Sequence, residues 1–166
     1  PTFVRMTAIV LKRNISDRVV DGHPWIYANE VAQVPEARFD GTIMEVYAAD
    51  KKFVGKAYVN SRSQVLARVL TRNKTEQVNE AFFLKRLTEA WEYRKKLGYE
   101  ENCRLVFGEA DGLPQLIIDK FNDYLVIQTL ALGIDAWKPA IVKALDKRLN
   151  PKGLYERNDV PIRELQ

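Results

Sequence analysis

A chain of 166 residues, 46% hydrophobic and 29% charged, has room for one ordinary domain or two small ones and is too apolar to be disordered. One cysteine and one histidine exclude a disulfide framework and a Cys/His zinc cluster, and no apolar run approaches the length that crosses a bilayer. The net charge of +4 is carried unevenly: residues 1–75 hold 12 Lys and Arg against 7 Asp and Glu, residues 76–166 hold 14 against 15, so the positive surplus that would meet a polyanion lies in the first part.

The run Thr7–Leu11 is apolar and β-branched, which predicts a strand. Asn14 to Asp21 reads as a short helix, with Asn14 or Ser16 as its cap, Gly22 at a left-handed C-terminal position and Pro24 barring continuation. Gly41–Tyr47, Phe53–Val59 and Gln64–Thr71 alternate as strands. A turn at 48–52 joins the first two, and Gly55 marks a bulge or tight bend. Short strands at this spacing with one small helix predict a compact β-barrel over residues 1–75.

The period then changes. Phe83, Leu87, Ala90, Trp91 and Leu97 recur at helical spacing from Val78 to Leu97, with Glu92 and Lys96 as an i,i+4 pair. We set residues 76–99 apart as a connecting helix. From 100 to 166 the pattern is α+β, with strands at Arg104–Phe107, Leu116–Asp119 and Tyr124–Thr129. Asn122-Asp123 is a hairpin turn signal between the last two. A helix from Asp135 to Leu149 and a strand at Leu154–Arg157 follow. The first dozen residues mix Arg5, Lys12 and Arg13 with apolar positions and do not read as a secretory signal, so a cytoplasmic location is expected.

Little in the sequence carries covalent chemistry. No two of the eight glycines have Gly-x-Gly spacing, so the glycine-rich turn of a dinucleotide or SAM site is not found, and no catalytic, cofactor or metal residue is assigned. Cys103 heads an apolar strand with no histidine near in sequence and reads as structural. Glu109 and Asp111, in the turn at 108–114, read as acceptors for backbone amides rather than an acid/base pair.

Two stretches carry a resemblance. From Ala8 to Thr71, the opening strand, the helix into Gly22, Phe39-Asp40-Gly41-Thr42-Ile43-Met44-Glu45-Val46 and Val54-Gly55-Lys56-Ala57-Tyr58 together resemble a PUA domain, a small RNA-binding pseudo-barrel. More specific are Gly22-His23-Pro24-Trp25-Ile26-Tyr27, Gly55 to Ser61, Arg104 to Pro114 with Asp119, and Tyr155-Glu156-Arg157. These are similar to the large-subunit rRNA methyltransferase I family, SAM-dependent cytosine-C5 methyltransferases of 23S rRNA. The likeness runs from about Ala8 to the end. It implies an N-terminal PUA-like barrel, the connecting helix and a central strand-strand-helix-strand(-strand) domain. It also implies that the Rossmann-like domain that would hold S-adenosylmethionine and the catalytic cysteine is absent from this chain, which is expected to be cut at both ends. Gln115 departs from the family pattern, which has glycine there. The partner implied is ribosomal RNA, without membrane or metal; homodimerisation of the full-length protein stays open. A stand-alone RNA-binding module without catalysis is the alternative.

The candidate RNA-binding residues are Arg13, Arg18, Lys51, Lys52, Lys56, Arg62, Arg68 and Arg72, with His23, Trp25 and Tyr27. Arginine forks suit phosphate and aromatic rings suit unpaired bases. Against this, the barrel core is the favoured place for Trp25 and also suits Tyr27, and His23, between Gly22 and Pro24, suits a positional role. Arg86, Arg94, Lys95 and Lys96 extend the track or form a solvated helix face.

Overall fold

The computed structural model describes residues 8–14, 17–157 and 159. It divides into two compact units, Pro1–Glu76 and Gln77–Gln166. Among the described residues no helix is long and apolar enough to cross a membrane, and no group of three His, Cys, Asp or Glu side chains is placed to hold a metal ion.

The first unit is a curled five-stranded sheet, in the order β1 (Ala8–Val10), β3 (Ile43–Tyr47), β4 (Phe53–Val59), β5 (Ala67–Thr71), β2 (Trp25–Ile26). Strand β1 runs parallel to β3; the other pairs are antiparallel. Leu11 bridges Val31, and Lys12 N donates to Glu30 O at 2.8 Å, which ties the β1 end to the segment after β2 and curls the sheet. Alternation sends Met44 and Val46 inward to Ile9, Ile26, Val59 and Leu66, all buried. The bulge expected at Gly55 is present beside it, and a second lies in β5 opposite Lys56 and Ala57. Val54 is extra in β4 against β3, and Leu70 is extra in β5 against β4. A Cβ on residue 55 would lie 2.7 Å from Val69 Cγ1 and 2.8 Å from the Thr71 carbonyl oxygen, so only glycine admits β5 this close.

Helix α1 spans Asp17–Val20, shorter than the predicted Asn14–Asp21. Asn14 has φ 62°, and Ser16 lies outside the described residues. The helix ends as expected: His23 N donates to Arg18 O at 2.8 Å and Gly22 N to Val19 O at 3.3 Å, the paired bonds that close a helix through a glycine of positive φ, here 126°. Strand β5 begins at Ala67 rather than Gln64, because residues 61–65 form bends and turns.

The second unit is a four-stranded sheet, β6 (Asn102–Phe107), β7 (Leu116–Phe121), β8 (Tyr124–Thr129) and β9 (Gly153–Glu156), with β9 parallel to β8. Three strands precede the helical crossover, as the strand pattern predicted and one more than the strand-strand-helix-strand unit that the resemblance implied. The helix set apart as a connector, α2 (Glu80–Lys96), packs on β6 and α4 (Lys138–Leu149) within this unit. Asn79 caps it through the Phe82 amide at 3.1 Å. Phe83 and Leu87 are core as predicted, but Trp91 is half-buried and Leu97, past the last turn, is exposed. Glu92 pairs with Lys95 at 2.8 Å and with Arg148, not with Lys96. The single helix expected from Asp135 is two: α3 (Leu132–Ala136) stops at Trp137, and α4 restarts with Pro139 in its first turn, where its missing N–H costs nothing.

Candidate nucleic-acid interface

In the first unit the loop from α1 to β2 is held by one buried carboxylate. Glu30, 4% exposed, accepts from Arg18 Nη2 at 2.7 Å and from the Tyr27 amide at 2.7 Å through the same Oε2. A carboxylate reaching back three residues to an amide is half of a capping box at the start of the 3-10 turn Ala28–Glu30. Arg18 also lies 4.9 Å over the Tyr27 ring and 2.6 Å from His23 Nδ1. The Trp25 amide donates to that same nitrogen at 3.1 Å, so Nδ1 is the accepting atom and His23 positions the loop. Trp25 is half-buried, with its ring 5.9 Å from His23 and 6.0 Å from the Arg68 guanidinium carbon.

Next to this loop, α1, the end of β1 and the β3–β4 turn enclose a surface cavity of about 550 Å³. Lys12, Arg13, Lys52 and Arg72 line it together with the carboxylates Asp17 and Asp50 and an apolar floor that includes Phe53 and Val54. Three of the predicted residues, Arg13, Lys52 and Arg72, thus converge. Arg72 is also the clamp between cavity and loop. Its guanidinium donates to Val19 O at 2.6 Å, Val54 O at 3.3 Å and His23 O at 3.0 Å. Burial pulls its pKa below the ordinary arginine value, yet it stays charged at neutral pH. Asp50 accepts from the Lys52 ammonium at 3.0 Å and the Lys52 amide at 3.1 Å, and these bonds hold its carboxyl below the usual carboxylate range.

The remaining candidates are not gathered there. Lys51 is exposed in the β3–β4 turn with φ 68°. Lys56, midway along β4, donates to Glu76 O at 2.6 Å. Arg62 is exposed beyond the far end of β4, its amide bonded to Asn60 Oδ1 at 3.1 Å. Arg68 is a correction: it is 2% exposed, on a β5 position buried along its whole length, with Nη1 3.5 Å from Val65 O, so it does not face an RNA backbone. The sequence reading passes over Lys12, Asp17, Glu30 and Asp50. The acid three residues after Tyr27, opening a short turn, was the available signal for Glu30; nothing in the sequence signals the cavity, which brings together segments about 60 residues apart.

The chemistry-bearing groups of the second unit are structural. Asp111 takes both forks of Arg94, at 2.5 and 2.8 Å, and the Phe107 amide at 2.7 Å. Glu109 Oε1 accepts from Gln115 Nε2 at 3.2 Å, and Gln115 holds φ 62°, the left-handed backbone that glycine adopts without strain. Cys103 is half-buried, and burial raises its thiol pKa, the opposite of an activated nucleophile.

Comparison with known proteins accords with this arrangement. Residues 9–72 match the PUA-like domain family. The ribosomal RNA large subunit methyltransferase I of Cronobacter sakazakii is 32% identical over 159 residues, 94% of this chain and 40% of that protein. The protein of the same name from Salmonella typhi is 31% identical over 166 residues, 98% of this chain and 41% of its own. The chain therefore spans about two-fifths of the length of these curated relatives. Among solved structures, one described as a SAM-dependent methyltransferase from Streptococcus mutans aligns over 92% of this chain and 41% of its own, with TM-score 0.78 at 17% identity. A methyltransferase complexed with SAH aligns over 92% and 40%, with TM-score 0.79 at 17% identity. At that identity the two structures speak for the fold alone. The curled sheet with its basic cavity thus coincides with a PUA-like match over residues 9–72, and almost the whole sequence is similar to about two-fifths of the ribosomal RNA large subunit methyltransferase I proteins.

Proposed function

We propose that this chain is the RNA-binding, substrate-positioning part of a SAM-dependent rRNA cytosine-C5 methyltransferase, with 23S rRNA as partner and the cytoplasm as its location. The observation that carries the reading is the convergence of Lys12, Arg13, Lys52 and Arg72 on one cavity of the PUA-like unit. Four cations against two carboxylates leave a local positive excess, and a concave surface concentrates it. Phosphate contacts of this kind fix the register of an RNA without reading its sequence. Their binding energy is available to orient a target base for chemistry carried by another domain.

No two glycines of the sequence have the Gly-x-Gly spacing of a SAM-binding turn. No step through the cofactor is derived for this chain.

The test is fluorescence anisotropy with fragments of 23S rRNA at several salt concentrations. Binding should weaken as salt rises, and the double variant R13A/K52A should lower the slope of log affinity against log salt by about 1.4, roughly 0.7 for each single-strand phosphate that is no longer neutralised. The Arg62→Ala variant should bind like the parent chain. Unchanged affinity and slope in the double variant would place RNA elsewhere or nowhere on this unit.

A further inference from the structure

We infer that the cavity between α1 and the β3–β4 turn receives one unpaired nucleotide of the RNA and favours a base bearing an exocyclic amino group. This rests on the RNA-binding reading above and names what the site holds. The cavity differs from a plain basic stripe in three respects. It is concave, and its volume of about 550 Å³ falls in the range of small-ligand sites, about 300–1,000 Å³. A stripe that follows a duplex needs no such depth, and a paired base enters one only at the cost of unstacking and unpairing, which an unpaired base avoids.

Part of its lining is apolar and aromatic. Phe53 lines the cavity, its ring edge-on to Tyr47 at a centroid distance of 5.7 Å and with the Lys74 ammonium 5.7 Å from its centroid. A phosphate has no use for that floor, whereas a nucleobase has a flat apolar face to lay on it. The cations belong to the other end of the same ligand. Lys12, Arg13 and Lys52 flank the floor, within reach of the phosphodiester attached to such a base. One phosphodiester carries one charge. A di- or triphosphate would bring further negative charge against Asp17 and Asp50, which makes an RNA strand a better occupant than a free nucleoside polyphosphate.

The two carboxylates set the base preference. An ionised carboxylate only accepts hydrogen bonds. Asp50, held ionised by Lys52, keeps a lone pair on each oxygen beyond the bonds at 3.0 and 3.1 Å. Asp17, exposed at the first turn of α1, takes part in no ion pair among the described residues. Cytosine N4 and adenine N6 donate to such groups; uracil turns a carbonyl toward them at the same position. Discrimination therefore falls between amino-bearing bases and uracil.

The experiment uses the 166-residue chain with end-labelled octamers of cytidylate and of uridylate, and a duplex of equal length, at one salt concentration. The cytidylate strand should bind about fivefold or more tighter than the uridylate strand, and tighter than the duplex. The double variant D17N/D50N, with both changes at exposed positions, should bring the two single strands to within about twofold of each other. Equal binding of the two strands by the parent chain, or a duplex bound as well as the cytidylate strand, overturns the nucleotide assignment while leaving RNA binding intact. Failure to bind the octamers, the duplex and the 23S fragments alike defeats the RNA-binding reading itself.

Discussion

Glu30 is the carboxylate on which the first unit's loop depends, because one oxygen serves both the Arg18 guanidinium and the Tyr27 amide. The acid side chain is 5% exposed and the arginine 35%, so solvent weakens the ion pair but not the amide bond. Replacing Glu30 with alanine should cost on the order of 2 kcal/mol, the value of a charged hydrogen bond removed from a buried site, read by urea denaturation of the first unit's transition. The same variant should lower RNA affinity, since Arg18, His23 and Trp25 lose their anchor. Cys103 illustrates the opposite kind of residue, one with chemical potential that its surroundings suppress. Burial raises its pKa, although Lys120 and Arg94 pull the other way. At pH 7.5 it should be alkylated by iodoacetamide more slowly than a free cysteine, with the rate climbing only above the ordinary thiol range. A rate equal to or above that of free cysteine would make the thiol a nucleophile after all.

Among the elements, β4 organises the first unit, and Gly55 is its critical position. With Val69 and the Thr71 carbonyl under 3 Å from a Cβ placed there, Gly55→Ala must push β5 away from β4. We expect a loss of about 1–3 kcal/mol, as for other insertions into a packed interior, seen as a lower thermal midpoint of that unit. The periodic elements were legible in the chain itself. The predicted β4 boundaries, Phe53–Val59, are those observed, and α2 begins and ends within two residues of the predicted limits. The misses have local physical causes. Strand β2 has two residues and no periodicity to detect. The 135–149 helix pattern continues through Trp137 because side-chain spacing does not register a break of one backbone turn, although Pro139 marks where the new helix begins.

On the scale of the whole molecule, the charge surplus of the first 75 residues reduces to a smaller surface once side chains are placed. Arg68 is buried, Lys56 and Arg72 have carbonyl partners, and Arg62 lies past the other end of β4. What remains collected is the cavity lined by Lys12, Arg13 and Lys52 with Arg72 at its base, which is why Arg13 and Lys52, and not Arg62, are the residues to change. The fold class, the change of period near residue 75, the glycine that ends α1 and the family likeness were all determined by the sequence alone, because hydrophobic period, turn chemistry and motif spacing are local properties of a chain. Which cations share a surface, which one is buried, and where carboxylates stand beside them was decided only by the tertiary structure. Pairing β1 with β3, β3 with β4 and β4 with β5 brings residues 12, 52 and 72 to one place, and no count of charge along the chain contains that information.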